Sequence, residues 1–230
     1  MRNSLDRPTG PHRSGRLVVW DVDRTMTRSD TFVPFLRVVV GPRAWAKVLP
    51  LVLGEVVRRG ATRAELKDAL LRHCLADRRQ DLVEALAVRF AAQLLTSRCR
   101  PDSLSRWQWH RRAGDTLALA SASPSLYLRP FGDLLGAEHV LATGLEYAAG
   151  YLTGQRSTPN CRGAEKGRRI AGLIANLRPT AVWMYTDSRS DRPSLSLADV
   201  GVRVGPFRQL VTPPARTEHV DLSGPLDGRA

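Results

Sequence analysis

The sequence predicts an α/β fold, a parallel sheet core with an all-helical segment inserted between its first two strands. Three observations carry that reading. Apolar runs of strand length at Arg16–Asp23, Thr116–Pro124 and Ala181–Ser188 end in carboxylates or serines, the pattern of buried parallel strands opening onto loops. Helical and strand-like stretches alternate after residue 113, as a doubly wound sheet requires. Between the first two runs, residues 31–113 read as helix throughout.

Taken in chain order, residues 1–15 are polar, rich in Arg, Pro and Ser, and aperiodic, as expected of a disordered leader. RLVVWDVD, Arg16–Asp23, is the first strand. In the insert, Thr62 and Glu65 form a capping box ahead of Leu66, Ala69 and Leu70. Asp81 is placed to cap a helix along Leu82, Leu86, Val88 and Phe90, while Pro50 and Gly54 should kink or divide the helix over Arg43–Arg59. TLALASASP is the second strand, followed by short strands and a hairpin around HVLATGLEY and YLTG. A helix over Gly163–Leu177 precedes the third strand, AVWMYTDS, and GVRVG, Gly201–Gly205, reads as a fourth. The expected organisation is a Rossmann-like core of residues 16–30 and 114–212, a helical cap of 31–113 and a flexible tail of 213–230, with ligands at the carboxyl ends of the strands.

Composition bounds the function. The 230 residues carry a formal charge of +13, and sixteen basic against seven acidic side chains between residues 31 and 113 account for most of it. Such an excess suits nucleic acid, an anionic membrane surface or a phosphorylated substrate. No Gly-rich RNA-binding signature, zinc-finger spacing or basic heptad accompanies it, so a nucleic-acid partner is not expected. The longest uncharged run, Thr116–Leu128, is too short and too rich in serine for a spanning helix. Cys74, Cys99 and Cys161 form neither an even disulfide framework nor a metal-type pair. The expectation is a cytoplasmic protein with reduced thiols, at most peripheral to the inner face of the membrane.

The sharpest local signal is Asp21 and Asp23, followed by Thr25, at the end of the first strand. Residues i and i+2 of extended chain face the same side, so both carboxylates can enter one cleft. Two like charges there call for a cation or a proton, and Mg²⁺ suits an oxygen-rich site. On its own, D-x-D-x-T also describes two solvated loop acids.

The order DVDRT, SAS, NCRGAEKGRR and TDSRSD, each placed after an apolar run or opening a helix, resembles the four motifs of the haloacid dehalogenase superfamily, in particular its phosphoserine-phosphatase-like branch with a helical cap between the first two motifs. The resemblance covers about Leu17–Leu210. It implies a phosphatase in which Asp21 is the nucleophile that becomes an aspartyl phosphate and Asp23 the general acid and base. It places Ser121 and Thr25 at the phosphate and Lys166 as the cation that neutralises the phosphoryl group and holds Asp21 ionised. Mg²⁺ would be held by Asp21, the main-chain carbonyl of Asp23 and Asp187, with Asp191 a second acidic ligand or an orienting partner. Ser123 is a further phosphate candidate, although capping of a helix from Pro124 is the favoured role. The chain departs from the family pattern at Arg24 and Thr186, both at positions where glycine is usual, and Arg189 and Arg192 are candidate ion-pair partners of Asp187 or Asp191.

Asp30, nine residues after Asp21, matches an acidic substrate-contacting position of that branch, and it equally suits an N-cap for a helix from Thr31. RSDTFVPFLR, with Phe32 and Phe35, is similar to a group that includes bacterial phosphatidylglycerophosphate phosphatases. Arg43–Arg59 has an apolar body with cations at both ends; it is read first as a packed cap helix and second as a segment that meets anionic lipid. Trp107, Trp109 and His110, beside Arg111 and Arg112, are read as packing at the return to the core rather than as a stacking platform. The substrate expected is a phosphate monoester, a phospholipid head-group phosphate or a small metabolite. The alternatives are transfer to an alcohol and a catalytically silent module that binds anionic lipid or nucleic acid.

Overall fold

A computed structural model of the chain describes residues 15–60 and 62–205. The expected leader, apart from Gly15, and the expected tail lie outside them. Strands β1 (Arg16–Trp20), β3 (Thr116–Pro124), β4 (His139–Thr143), β7 (Ala181–Thr186) and β8 (Val200–Arg203) form one sheet, in the order β4-β3-β1-β7-β8. All four pairings are parallel. β1 is central, and Leu17, Val18, Val19 and Trp20 have no solvent exposure, which is why this strand is an unbroken apolar run.

Helices α1 (Phe32–Val40), α2 (Pro42–Arg59), α3 (Arg63–Leu75), α4 (Gln80–Gln93) and α5 (Pro101–Arg112) lie between β1 and β3, with a two-residue strand, β2 (Arg78–Arg79). β2 joins the hairpin of β5 (Leu145–Ala148) and β6 (Tyr151–Arg156) in a small antiparallel sheet. The chain segments that follow β1 and lead back toward β3 are tied together: Arg28 N–H donates to the Arg98 carbonyl and Arg100 N–H to the Met26 carbonyl, both at 2.9 Å. An aromatic cluster joins the two parts, with Tyr127 of α6 (Ser125–Leu135) at 4.6 Å from Phe35 of α1 and 5.3 Å from Phe90 of α4. α7 (Ala164–Leu177) and the short α8 (Arg192–Leu195) complete the fold. They approach closely at Gly167, where a Cβ would stand 3.2 Å from Pro193.

Three local expectations are corrected. α2 runs unbroken through Pro50 and Gly54; Pro50 and Ala46 are both exposed, so the carbonyl that loses its helical donor faces water. α4 begins before Asp81, because β2 pairing and the bond from Gln80 N–H to the Gly150 carbonyl fix the preceding backbone. Asp81 pairs with Arg79 instead of capping. The buried face of α4 is Val83, Ala87, Phe90 and Ala91, while Leu82 and Val88 are exposed. The capping box of Thr62 and Glu65 is present on α3. Among the described residues, no helix is long and apolar enough to cross a membrane.

Candidate active site

The carboxyl ends of β1, β3 and β7 and the N-terminal turn of α7 converge on one cleft of about 520 Å³. Asp21 follows β1 directly, and its backbone continues the sheet by donating to the Tyr185 carbonyl at 2.9 Å. The chain then turns sharply: Arg24 adopts a left-handed φ of 62° and Thr27 N–H closes on the Val22 carbonyl. This turn puts Asp21 and Asp23 on the same cleft wall.

The Lys166 ammonium, in the first turn of α7, donates to Asp21 Oδ1 and Asp191 Oδ2, both at 2.8 Å. All three groups are buried. Burial pushes the Asp21 carboxyl up to about 7, with Lys166 opposing the rise. Burial alone would lower Lys166, but Asp21 and Asp191 hold it above its ordinary value. One ammonium shared by two carboxylates stays protonated, so the cation belongs to the resting site.

The other oxygen of Asp21 accepts from Thr25 Oγ1 at 3.1 Å, and that hydroxyl accepts from Asp187 N–H at 2.9 Å. Thr25 is thus buried behind Asp21, linking two strand ends, and does not line the cleft where a phosphate contact was expected of it. Asp23 Oδ1 accepts from the backbone N–H and hydroxyl of Thr31 at 2.7 and 2.6 Å. Asp23 Oδ2 accepts from Ser123 Oγ at 2.7 Å and, at 3.4 Å, from Ser121 Oγ. Ser121 lines the cleft, as expected. Ser123 does not cap the following helix, whose N-cap Pro124 has no side-chain bond; its hydroxyl serves Asp23. Asp30 also lines the cleft, and it accepts from Phe32 N–H at 3.0 Å at the start of α1.

Asp187 Oδ2 pairs with Arg24 Nε at 2.9 Å. Asp187 Oδ1 is buried without a hydrogen-bond partner. An unpaired carboxylate oxygen facing a cleft with Asp21 and Asp23 fits a hard cation that takes oxygen ligands. Asp191 is otherwise engaged: Oδ2 accepts from Lys166 and, at 2.8 Å, from Thr186 Oγ1. This geometry favours the orienting role over ligation. Among the described residues no three His, Cys, Asp or Glu side chains converge as a metal cluster, so main-chain oxygen would have to complete the ligand set. Neither Arg189 nor Arg192 pairs with these acids; the competing guanidinium is that of Arg24. Thr186 replaces glycine usefully, since its hydroxyl bonds Asp191 and accepts from Ser188 N–H at 3.0 Å.

Lys67 was missed in the sequence. From α3 it reaches across the cleft, donating to the Ala122 carbonyl and lying 4.7 Å over the Phe32 ring. Burial pulls its ammonium down to about 8 against the attraction of Asp23 and Asp30. No local motif announces it, because the group it meets is 55 residues away. The Trp107 region packs as expected: Trp107 and His110 are buried.

The family model for haloacid dehalogenase-like hydrolases matches residues 18–196. The chain is 33% identical over 189 residues to Protein CicA of Caulobacter vibrioides, covering 80% of this chain and 83% of that protein. A solved structure from Bordetella pertussis Tohama I is similar with a TM-score of 0.70 at 23% identity, over 83% of this chain and 90% of the other. A phosphoserine phosphatase solved as an analogue of its phospho-aspartyl intermediate has a TM-score of 0.60 at 15% identity, over 83% and 86% of the two chains. The family match runs from β1 through the helices that precede β3 to α8 and ends before β8.

Proposed function

The chain belongs to the haloacid dehalogenase-like hydrolases, and from that premise we propose that it is a Mg²⁺-dependent phosphomonoesterase acting through an aspartyl phosphate on Asp21. The observation that carries the reading is the placement of Asp21: a carboxylate at a strand end, opening on a cleft, with a buried ammonium on one oxygen and Asp23 two residues along on the same wall.

In the first step an Asp21 oxygen attacks phosphorus and the ester P–O bond breaks, while the Asp23 carboxyl passes its proton to the departing alkoxide. In the second, Asp23, now a carboxylate, takes a proton from water as the water oxygen attacks phosphorus. The bond to Asp21 breaks and phosphate leaves. Splitting the displacement in this way keeps each barrier lower than direct attack by water. Lys166 offsets charge on the transferring group, and Ser121 donates to one of its oxygens. Thr31 and Ser123 hold Asp23 in orientation by donating to both its oxygens. Asp21, Asp187 and the Asp23 carbonyl would hold Mg²⁺, which supplies Lewis-acid stabilisation of phosphoryl charge.

In this proposal residues 31–113 act as a cap over a core of 16–30 and 114–212, and Asp30, at the entrance to the cap, and Lys67 of the cap serve leaving-group recognition. The substrate is a phosphate monoester, either a lipid head-group phosphate or a small metabolite. The similarity of Arg28–Arg37 to the phosphatidylglycerophosphate phosphatase group supports the former.

The test is Mg²⁺-dependent phosphate release across a panel of monoesters by wild type and Asp21→Asn. Release should fall by about 10³-fold or more in the variant. Equal release by the two proteins would defeat the mechanism, and transfer to an added alcohol in place of release would replace the phosphatase with a phosphotransferase.

A further inference from the structure

Helix α2 has one face against the protein and one without a partner. Val52 is buried, Trp45 and Val48 pack on the core, and half-buried Glu55 accepts from Arg72 Nη2 of α3 at 3.1 Å and bonds His73 Nε2 at 3.3 Å. These positions follow helical spacing and define the inward side. Away from them run Leu49, Leu53 and Val57, four residues apart, at 38%, 47% and 79% exposure. Among the described residues α2 carries four exposed large apolar side chains, Leu49, Leu51, Leu53 and Val57, whereas no other helix carries more than the two, Leu82 and Val88, of α4. Isolated exposed leucines are ordinary, but a row of them on one helix marks a contact surface.

The charge beside the row identifies the partner. Arg43, Lys47 and Arg58 lie along the neighbouring stripe of the same helix, all exposed, and none forms an ion pair among the described residues. Leucines flanked by unpaired cations along one helix match a surface that is apolar below and anionic above. A nucleic acid would use the cations and leave the leucines in water. A second copy related by a twofold axis would bring the same cations face to face.

We propose that α2 lies along an anionic bilayer surface, with Leu49, Leu53 and Val57 entering the acyl boundary and Arg43, Lys47 and Arg58 meeting lipid phosphates. The link from Glu55 to Arg72 and His73 makes α2 and α3 one unit, and α3 supplies Ala64, Leu66, Lys67 and Leu70 to the cleft wall. Docking therefore places a wall of the active-site cleft next to lipid head groups. The inference deepens the phosphatase reading by naming a surface-presented phosphate as substrate, and it rests on that reading for the substrate alone.

The experiment is flotation of the full chain with vesicles of phosphatidylcholine containing phosphatidylglycerol, or of phosphatidylcholine alone, at low salt. Leu53→Glu/Val57→Glu and Lys47→Glu/Arg58→Glu are run beside wild type, and turnover of a soluble monoester is measured for all three. Wild type should float with the anionic vesicles only, and each double variant should lose at least about tenfold in partitioning with soluble turnover unchanged. Wild type that stays unbound, or variants that float as well as wild type, overturn the proposal. So does a concentration-dependent dimer that Leu53→Glu dissociates, which would assign the face to a second copy. Flotation without turnover of any monoester would remove the phosphatase reading and leave the docking intact; turnover without flotation would do the reverse.

Discussion

Two clusters of buried charge flank β7, and they differ in what they leave unsatisfied. In one, Lys166 bridges Asp21 and Asp191 beside a cleft, with the unpartnered Asp187 Oδ1 close by. In the other, His110 Nδ1 bonds Asp115 Oδ2 at 2.7 Å, His110 Nε2 bonds the Tyr185 hydroxyl at 2.8 Å, and Arg16 Nε donates to Asp115 Oδ1 at 2.8 Å. Rings close over this second cluster, with Trp109 and Trp183 4.7 and 5.2 Å from His110 and the Arg16 guanidinium over both. A carboxylate, a histidine and a hydroxyl in series have the makings of a catalytic triad, yet nothing can reach them. Pairing alone does not distinguish function from support. An unsatisfied oxygen and open space beside the pair do.

The contrast breaks most sharply if Lys166 is removed. Lys166→Met leaves two buried carboxylates without their cation, and we expect phosphatase activity to fall by about 10³-fold or more and stability by about 3–5 kcal/mol. Asp21, whose folded pKa burial raises, binds more protons folded than unfolded, so the variant's deficit should shrink as pH falls through that pKa. Chemical denaturation at several pH values reads this. A deficit that does not change with pH would mean that the pair is solvated.

In the sealed cluster, His110→Phe should cost about 1–3 kcal/mol, the penalty for orphaning buried polar partners, while kcat of the folded enzyme stays within about twofold. Burial lowers the His110 pKa despite Asp115. The unfolded chain then binds more protons between the folded pKa and about 6.5, so wild-type stability falls as pH drops through that window. His110→Phe should flatten that slope, as denaturation midpoints between pH 7 and 5 would show. A large loss of kcat in this variant would erase the distinction between the clusters.

The first cluster was legible in the sequence and the second was not, for a physical reason. Asp21 and Asp187 sit where a strand ends, and such boundaries are written locally: the β3 strand over Thr116–Pro124 and the Thr62 capping box were read to the residue, whereas Lys166 entered only through the family resemblance, because its local sequence does not set it apart from a solvated helix lysine. The partners that complete the site come from chain far away. Ser123 reaches Asp23 across 100 residues and Thr25 meets the Asp187 backbone across 162, and neither the His110 network nor the reach of Lys67 has any periodic signature. The Leu82 and Val88 stripe failed because the hairpin that anchors β2 fixes where α4 starts, a constraint supplied by residues that follow in the sequence.

Smaller changes sharpen the same contrast around the open cluster. Lys67→Met should lower kcat/KM by about tenfold for monoesters with a polar leaving group, mainly through KM. Because the Lys67 ammonium is pulled down to about 8, activity that depends on its charge is present below that pH and lost above it. The alkaline limb should vanish in Lys67→Met and move upward in Lys67→Arg, whose guanidinium stays charged. A limb that persists in both variants would assign it to another group.

Thr186→Gly restores the residue usual in the family and removes the hydroxyl that holds Asp191. A drop of about 1 kcal/mol in stability and of several-fold in kcat is expected, with Thr186→Ser recovering both. Arg24→Gly should have the smallest effect and is the most informative about the metal. It removes the 2.9 Å ion pair from Asp187 Oδ2 and puts glycine where φ is 62°, a conformation that costs a side chain about 1 kcal/mol. The pair is more than half exposed on the arginine side, so its loss is worth little to stability and the backbone relief offsets it. What changes is the competition at Asp187: with both oxygens free, Mg²⁺ should bind about two- to threefold more tightly by calorimetry, whether or not substrate turns over. Unchanged Mg²⁺ affinity would mean that Asp187 Oδ1 alone serves the cation and that Arg24 is, like the ring of side chains around His110, only support.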